Sequence, residues 1–280
     1  MIEIQENILT KVIAKRKSDS HKGNYGRVLL IGGNENYGGA IIMATEGTIN
    51  SGTGLTAVAT HSINLTALHS RDPEAMYIDW RDSKGLTNLI QKVDVIVCGP
   101  GLGLNDFARN ILNLLKDSVT EKQTVILDAS ALDLISENPK LIPHNAKHII
   151  LTPHQMEWQR VSQIRIPFQD DKANKVALAQ LFPRKNVSLV LKSNQTHIYN
   201  QDQVYINTAG NPGMATGGMG DTLSGIIAGF VAQFGPNIDS ILAAVFLHSM
   251  AGDLLYEKNY VVKPTQISKM LPSLMKKYAN

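Results

Sequence analysis

Between Asn207 and Asp221 the chain carries five glycines and one proline, and the run ends in a single carboxylate. Leu223, Ile226, Ile227, Phe230, Val231 and Phe234 follow at three- and four-residue spacing, the pattern of a helix with one apolar face. A glycine-rich loop that runs into a helix start aims several free backbone N–H groups at one point and adds the positive end of the helix dipole. Phosphate or a developing anion suits such a place. Gly217, Gly218, Met219 and Gly220 are the expected anion hole, and Asp221 is the expected catalytic carboxylate. The plainer reading is a flexible loop with Asp221 as an ordinary N-cap. Glycines at a helix start waste conformational entropy unless something must approach the backbone closely, which favours a site.

Other reactive residues fall where short apolar runs end. Runs at Arg27–Ile31, Leu55–Thr60, 94–98, Thr124–Leu127, 149–152 and 189–192 read as strands buried on both faces. Helical patterns lie at about 39–51, 105–117, 170–182, 221–234 and 237–257. The alternation predicts a doubly wound α/β sheet with helices on both sides. Residues 196–199 and 204–206 flank a polar turn, so a small antiparallel hairpin should close one edge of the sheet. No linker composition and no repeat divides the chain, and 1–280 reads as one domain.

Ligands of open α/β sheets bind outside the carboxyl ends of the strands. Gly32, Gly33, Gly38 and Gly39 follow the first of these runs, and Gly99, Gly101 and Gly103 follow the third. The fourth ends at Asp128, the fifth at Thr152-Pro153-His154, and the sixth at Lys192 through Thr196. Pro153 stiffens the approach to His154, which suits a substrate contact better than a metal ligand. Only Glu157, three residues on, has ligand spacing to it. A lysine ending a buried strand can bury its stem and offer its ammonium to phosphate, although an edge lysine in solvent is an equal reading of Lys192 alone. Neither glycine loop has the G-x-G-x-x-G spacing, and there is no G-x-x-x-x-G-K-[ST], so hydride transfer and P-loop chemistry are disfavoured.

Composition narrows the class. Of 280 residues, 43% are hydrophobic and 18% charged, enough core to argue against disorder. A net charge of +3 with no dense basic block argues against nucleic acid. The basic run from Lys11 to Lys22 reads as a solvated face or an anion-facing loop. Cys98 is the only cysteine, so no intrachain disulfide forms and a reducing compartment fits. The start lacks a signal-peptide pattern, and no apolar run approaches a membrane span, so the expected location is the cytoplasm.

Taken in order, His21 through Gly26, Gly99 through Gly103, Leu151 through His154, Lys192 through Thr196, Gly210 through Asp221 and Val245 through Asp253 resemble the ADP-dependent NAD(P)H-hydrate dehydratases. The resemblance spans roughly 20 to 270. It implies the ribokinase-like α/β/α fold and a repair activity: removal of water from hydrated NADH or NADPH (NADHX, NADPHX) at the expense of ADP, giving AMP and phosphate. By position, Ala40, Gly103, His154 and Asp221 would contact the hydrated cofactor. Lys192, Ser193, Asn194, Gln195, Thr196 and Gly220 would hold the adenine nucleotide. The resemblance also implies Mg2+, a homotetramer and a separate epimerase as pathway partner, with ATP as the alternative nucleotide. No metal ligand set is readable; Glu157 is a candidate through water only.

Three positions depart from the family pattern. Met156 stands where the family has glycine, Ser193 where glycine is typical, and Met219 where threonine is usual. Two other functions fit parts of the chain. A small-molecule kinase of the same fold would share the glycine–aspartate helix start, but His154 stands where such kinases often show asparagine. A non-catalytic adenine-nucleotide sensor would gain nothing from a carboxylate beside phosphates.

Overall fold

The computed structural model describes residues 1–184 and 186–280. The strands are β1 (Ile2–Glu3), β2 (Arg27–Ile31), β3 (Leu55–Thr60), β4 (Met76–Asp79), β5 (Val95–Cys98), β6 (Thr124–Leu127), β7 (His148–Leu151), β8 (Val187–Leu191), β9 (Thr196–Asn200) and β10 (Gln203–Asn207). They form one sheet in the order β1-β10-β9-β8-β7-β6-β5-β2-β3-β4. Neighbours from β8 through β4 pair in parallel, while β9 is antiparallel to both β8 and β10. The hairpin lies one strand further in than its pattern suggests, because β1 pairs outside β10 in parallel.

Each central strand feeds two cores. Leu29, Ile31, Val125 and Leu127 point into one layer, and Val28, Leu30 and Ile126 point into the other. Burial on both faces is why these runs are continuously apolar instead of alternating. The strand order reverses between β2 and β5, the switch point outside which open α/β sheets form their ligand crevice. The loops after these two strands are tied at their base: the Gly33 and Asn34 N–H groups donate to the Pro100 and Gly101 carbonyls at 2.9 and 2.7 Å.

The Ile238–Tyr256 helix corrects one expectation. It is long and apolar enough to cross a membrane by length and composition. Ile241, Leu242, Val245, Leu247 and Ala251 are buried in the second core, which accounts for that apolarity. A helix hydrophobic on most sides is what a core position between layers requires.

Candidate active site

A cavity of about 850 Å3 lies at the carboxyl ends of the strands. It is walled by the ends of β6, β7 and β8, the loop after β10 and the start of the Met219–Phe234 helix. Of the residues singled out in the sequence, His154, Glu157, Lys192, Ser193, Asn194, Thr196, Met219, Gly220 and Asp221 line it.

The helix start is built to bind rather than to be capped. Gly218, at φ +91°, is the N-cap and offers no side chain. A Cβ there would collide with the Met43 thioether, so the left-handed turn and the tight packing both select glycine. Thr222 N–H reaches back to the Gly218 carbonyl at 3.0 Å, whereas the N–H groups of Gly220 and Asp221 find no acceptor among the described residues. Asp221 is the third residue of the helix, not its cap. Its carboxylate is half-buried and makes no side-chain hydrogen bond among the described residues. Burial and the neighbouring Asp128 carboxylate push its pKa up to about 6 against the pull of Lys192.

Lys192 is the centre of the charge network. Its Nζ donates to Asp128 Oδ1 at 3.0 Å, and the Asp128 side chain is only 2% exposed. Burial works against the lysine's charge, but Asp128, Glu157 and Asp221 outweigh it and hold the pKa above the ordinary value. The same ammonium stands beside the helix start: a Cβ on Gly220 would lie 2.9 Å from it. One cation thus touches both the strand-end carboxylate and the amide-lined pocket.

His154 has a structural task as well as a place in the cavity. Its Nδ1 accepts from the Met156 and Glu157 N–H groups at 3.1 and 3.2 Å, and Glu157 Oε2 accepts the His154 N–H at 2.7 Å. This reciprocal cap starts the Gln155–Ser162 helix. Because Nδ1 accepts, the hydrogen-bond pattern assigns the ring proton to Nε2. Burial, then Lys192 and Arg160, hold the imidazole below its usual pKa, which favours the neutral ring with its donor at Nε2. Burial and Asp128 raise Glu157 to about 7 although Lys192 and the His154 N–H oppose them.

The remaining candidates fall elsewhere. Ala40 and Gly103 belong to the adjoining crevice between the β2 and β5 loops. Ala40 Cβ would lie 3.2 Å from a Cβ on Gly101, and the Gly103 N–H donates to Ser130 Oγ at 3.1 Å, beside cavity-lining Ala129. Gln195 is exposed and outside the cavity lining, its N–H taken by Ser193 Oγ at 3.2 Å. Gly217 and Gly218 shape the turn without lining the cavity. Met156 is 42% exposed, so the departure there leaves the cavity open. Met219 packs into the second core, and the Ser193 hydroxyl closes a small turn onto the Gln195 carbonyl at 2.5 Å.

Asp128, His248, Ser249 and Asp253 carry no predicted role in the sequence. Asp128 was legible as a carboxylate directly after a buried strand. The others come from the Ile238–Tyr256 helix, where the resemblance marks the segment from Val245 to Asp253 without giving any of its residues a role. Asp253 braces the glycine loop, accepting from the Gly210 N–H at 3.0 Å and Asn211 Nδ2 at 2.7 Å, while Ser249 Oγ accepts from Asn207 Nδ2 at 2.9 Å.

The chain is similar in sequence and fold to known proteins. The family model described as NAD(P)H-hydrate dehydratase matches residues 28–273. The ADP-dependent (S)-NAD(P)H-hydrate dehydratase of Enterococcus faecalis is 50% identical over 276 residues, 99% of this chain and 93% of that one. A crystal structure of a ribokinase-like superfamily protein from the same organism is 49% identical with a TM-score of 0.95, covering 100% of this chain and 96% of that one. The ADP/ATP-dependent NAD(P)H-hydrate dehydratase of Bacillus subtilis, crystallised with ATP and Mg2+, is 28% identical with a TM-score of 0.83, covering 99% and 98%.

Proposed function

Since the chain belongs to the NAD(P)H-hydrate dehydratase family, we propose that Asp221 and the free amides beside it carry out its reaction in the cavity between β6, β7, β8 and the Met219–Phe234 helix. The enzyme is an ADP-dependent lyase of the ribokinase-like fold that returns hydrated NADH or NADPH to the normal cofactor, with AMP and phosphate as the other products. The observation that carries the site assignment is a half-buried carboxylate without a side-chain hydrogen bond among the described residues, at the mouth of an amide-lined pocket and beside a paired lysine.

Chemistry follows from the leaving group. Hydroxide leaves a tetrahydropyridine ring poorly, and phosphate leaves it well. Asp221 orients the ring hydroxyl and takes its proton as the hydroxyl oxygen bonds to the terminal phosphorus of the nucleotide. The P–O bond to the nucleotide breaks, and AMP departs when ADP is the donor. The ring nitrogen then supplies electrons as the C–O bond to phosphate breaks, and the adjacent carbon gives its proton to the departing phosphate. The sum is hydrated cofactor plus ADP giving cofactor, AMP and phosphate. The Gly220 and Asp221 N–H groups and Lys192 meet the charge on the transferred phosphoryl group. A helix end contributes only ~0.3–1 kcal/mol when exposed and about 2 when partly buried. The aligned donors and Lys192 must therefore carry most of the stabilisation.

Ala40 and Gly103 place the hydrated nicotinamide in the β2/β5 crevice with the His154 Nε2–H, while Lys192, Ser193, Asn194, Thr196 and Gly220 hold the nucleotide. Gln195 contributes through its backbone turn. Mg2+ fits the charge balance: Asp128, Glu157 and Asp221 surround one lysine, and a bare polyphosphate would be repelled. Among the described residues no three His, Cys, Asp or Glu side chains form a metal cluster, so the nucleotide phosphates and water would supply most ligands, with Glu157 through water. Bound there, Mg2+ neutralises phosphate charge. ADP is read as the natural donor and ATP as an alternative.

A chiral pocket takes one epimer of the hydrated ring, which calls for a separate epimerase to supply it. Residues 1–280 are read as one domain working in the cytoplasm, where a lone buried cysteine fits. The assembly is read as a homotetramer on the family resemblance, with exposed Tyr37, Ile63 and Leu104 as apolar surface it could cover. Incubating the protein with hydrated NADH, Mg2+ and ADP tests the function. Recovery of nicotinamide absorbance with matching phosphate release is expected. Nucleotide binding without recovery would mark a sensor, and phosphorylation of another alcohol without recovery would mark a kinase.

A further inference from the structure

The basic run between Lys11 and Lys22 plays no part in the active site. It borders a second cavity of about 480 Å3 at the other end of the molecule's site-bearing helices. Ile13, Ile49, Phe234, Pro272 and Met275 form its apolar walls. Its charged residues are Lys15, Arg16 and Lys276, and no Asp or Glu lines it among the described residues. Arg16 is fixed in place. Its Nη2 donates to the Gly52 carbonyl and, at 3.1 Å, to Gln233 Oε1, and its guanidinium lies 3.8 Å above the Tyr25 ring. Gly52, at φ +91°, is what admits it, since a Cβ there would stand 2.6 Å from Nη2. The Arg16 Nε and Nη1 donors make no hydrogen bond among the described residues, so the fork keeps free donors for a ligand.

The cavity is mechanically continuous with the active site. The Gly38–Asn50 helix starts at the β2/β5 crevice and ends in this cavity at Ile49 and Asn50. The Met219–Phe234 helix starts at the anion pocket and ends here at Gln233 and Phe234. The two run side by side with no room to slide. A Cβ on Gly47 would stand 2.7 Å from the Thr222 carbonyl, a Cβ on Gly229 would stand 2.6 Å from Ser51 Cβ, and Thr48 Oγ1 donates to the Gly225 carbonyl at 3.0 Å. Close-packed interfaces shift as units instead of deforming gradually. A shift at one end therefore moves the other, across the ~24 Å length of a sixteen-residue helix.

We propose that this cavity is an effector site for a small organic anion, an aromatic or alkyl body with a carboxylate, sulfonate or phosphate head, and that its occupancy changes nucleotide affinity at the far ends of the two helices. The body fills the apolar walls and the head meets Arg16, Lys15 and Lys276. The volume is in the range that encloses a small ligand.

Anilinonaphthalene sulfonate is the probe, titrated by fluorescence against the whole chain saturated with ADP so that the active-site cavity is filled. A saturable site should remain. The Lys15→Glu/Lys276→Glu double variant, changed at two side chains outside the active-site cavity, should weaken it at least ~10-fold, because both charges at the rim are reversed. Lys276→Gln alone should give a smaller loss in the same direction. By linkage, the probe must change the ADP Kd by the same factor that ADP changes the probe's Kd. Unchanged probe binding in both variants, or complete displacement of the probe by ADP, overturns the site. An ADP Kd that is identical with and without bound probe overturns the effector role.

Discussion

Gly220→Ala separates stability from function. Gly220 is the second residue of the Met219–Phe234 helix and its φ lies outside the left-handed region, so alanine fits the backbone there. Helix propensity alone favours alanine by up to ~1 kcal/mol. The added Cβ, however, would stand 2.9 Å from Lys192 Nζ. Ordinary heavy-atom contact begins near ~3.5 Å, so the ammonium must retreat by roughly 0.6 Å or more, and the methyl occupies space meant for a phosphate oxygen. One charge-assisted hydrogen bond to the nucleotide is lost or lengthened, a change of ~1.5–3 kcal/mol. At ~1.4 kcal/mol per decade, ADP affinity falls about 10- to 100-fold. Calorimetric titration with ADP and thermal unfolding on the same preparation read both quantities. The expected pair is weaker ADP binding with an unfolding temperature equal to or above wild type. Unchanged ADP affinity, or a loss of stability that accounts for the loss of binding, would refute the reasoning.

Three more perturbations follow from the charge network. The raised Asp221 pKa means the folded state holds that proton more tightly than the unfolded chain. Its contribution is favourable at low pH and is lost as pH rises from 3.8 through about 6. The difference, 6 − 3.8 or roughly 2 pK units, bounds the effect at about 3 kcal/mol. Asp221→Asn should therefore raise the unfolding temperature by several degrees near pH 8 and little near pH 4, checked by calorimetric scans at both. If ionised Asp221 is the base, kcat/KM should rise through about pH 6, and Asp128→Asn should move that limb to lower pH by removing one of the groups that raise it; a limb that stays put in the variant contradicts the assignment. His154→Ala should cost ~1 kcal/mol of stability through the lost cap and also raise KM for the hydrated cofactor, whereas His154→Asn keeps the cap and shows the KM effect alone. Equal KM values for His154→Asn and wild type would leave the histidine a purely structural role.

The sheet was readable because burial on both faces writes strands as uninterrupted apolar runs: β2, β3 and β6 match their expected bounds. Met76–Asp79 left no such trace. It sits at the sheet edge, where none of its four side chains is buried. The Pro264–Tyr278 helix was hidden by Pro272, a residue that argues against a helix interior unless packing overrides it. At the site, the glycine loop identified the helix start two residues later than it lies, and that offset removes the plainer reading of Asp221 as a cap. The lysine at the end of β8 could not reveal its partner, because Asp128 is 64 residues away in the chain and meets it only through the order of β6, β7 and β8 in the sheet. Metal ligands were illegible for a different reason: the described side chains form no ligand cluster.

Asp221 acts on a hydrated nicotinamide while the pocket beside it holds the nucleotide. Single-turnover measurement of Asp221→Asn with hydrated NADH, ADP and Mg2+, alongside its ADP Kd, reads both halves at once. The variant should bind ADP within a fewfold of wild type and return almost no NADH. NADH formation at the wild-type rate would contradict the account outright.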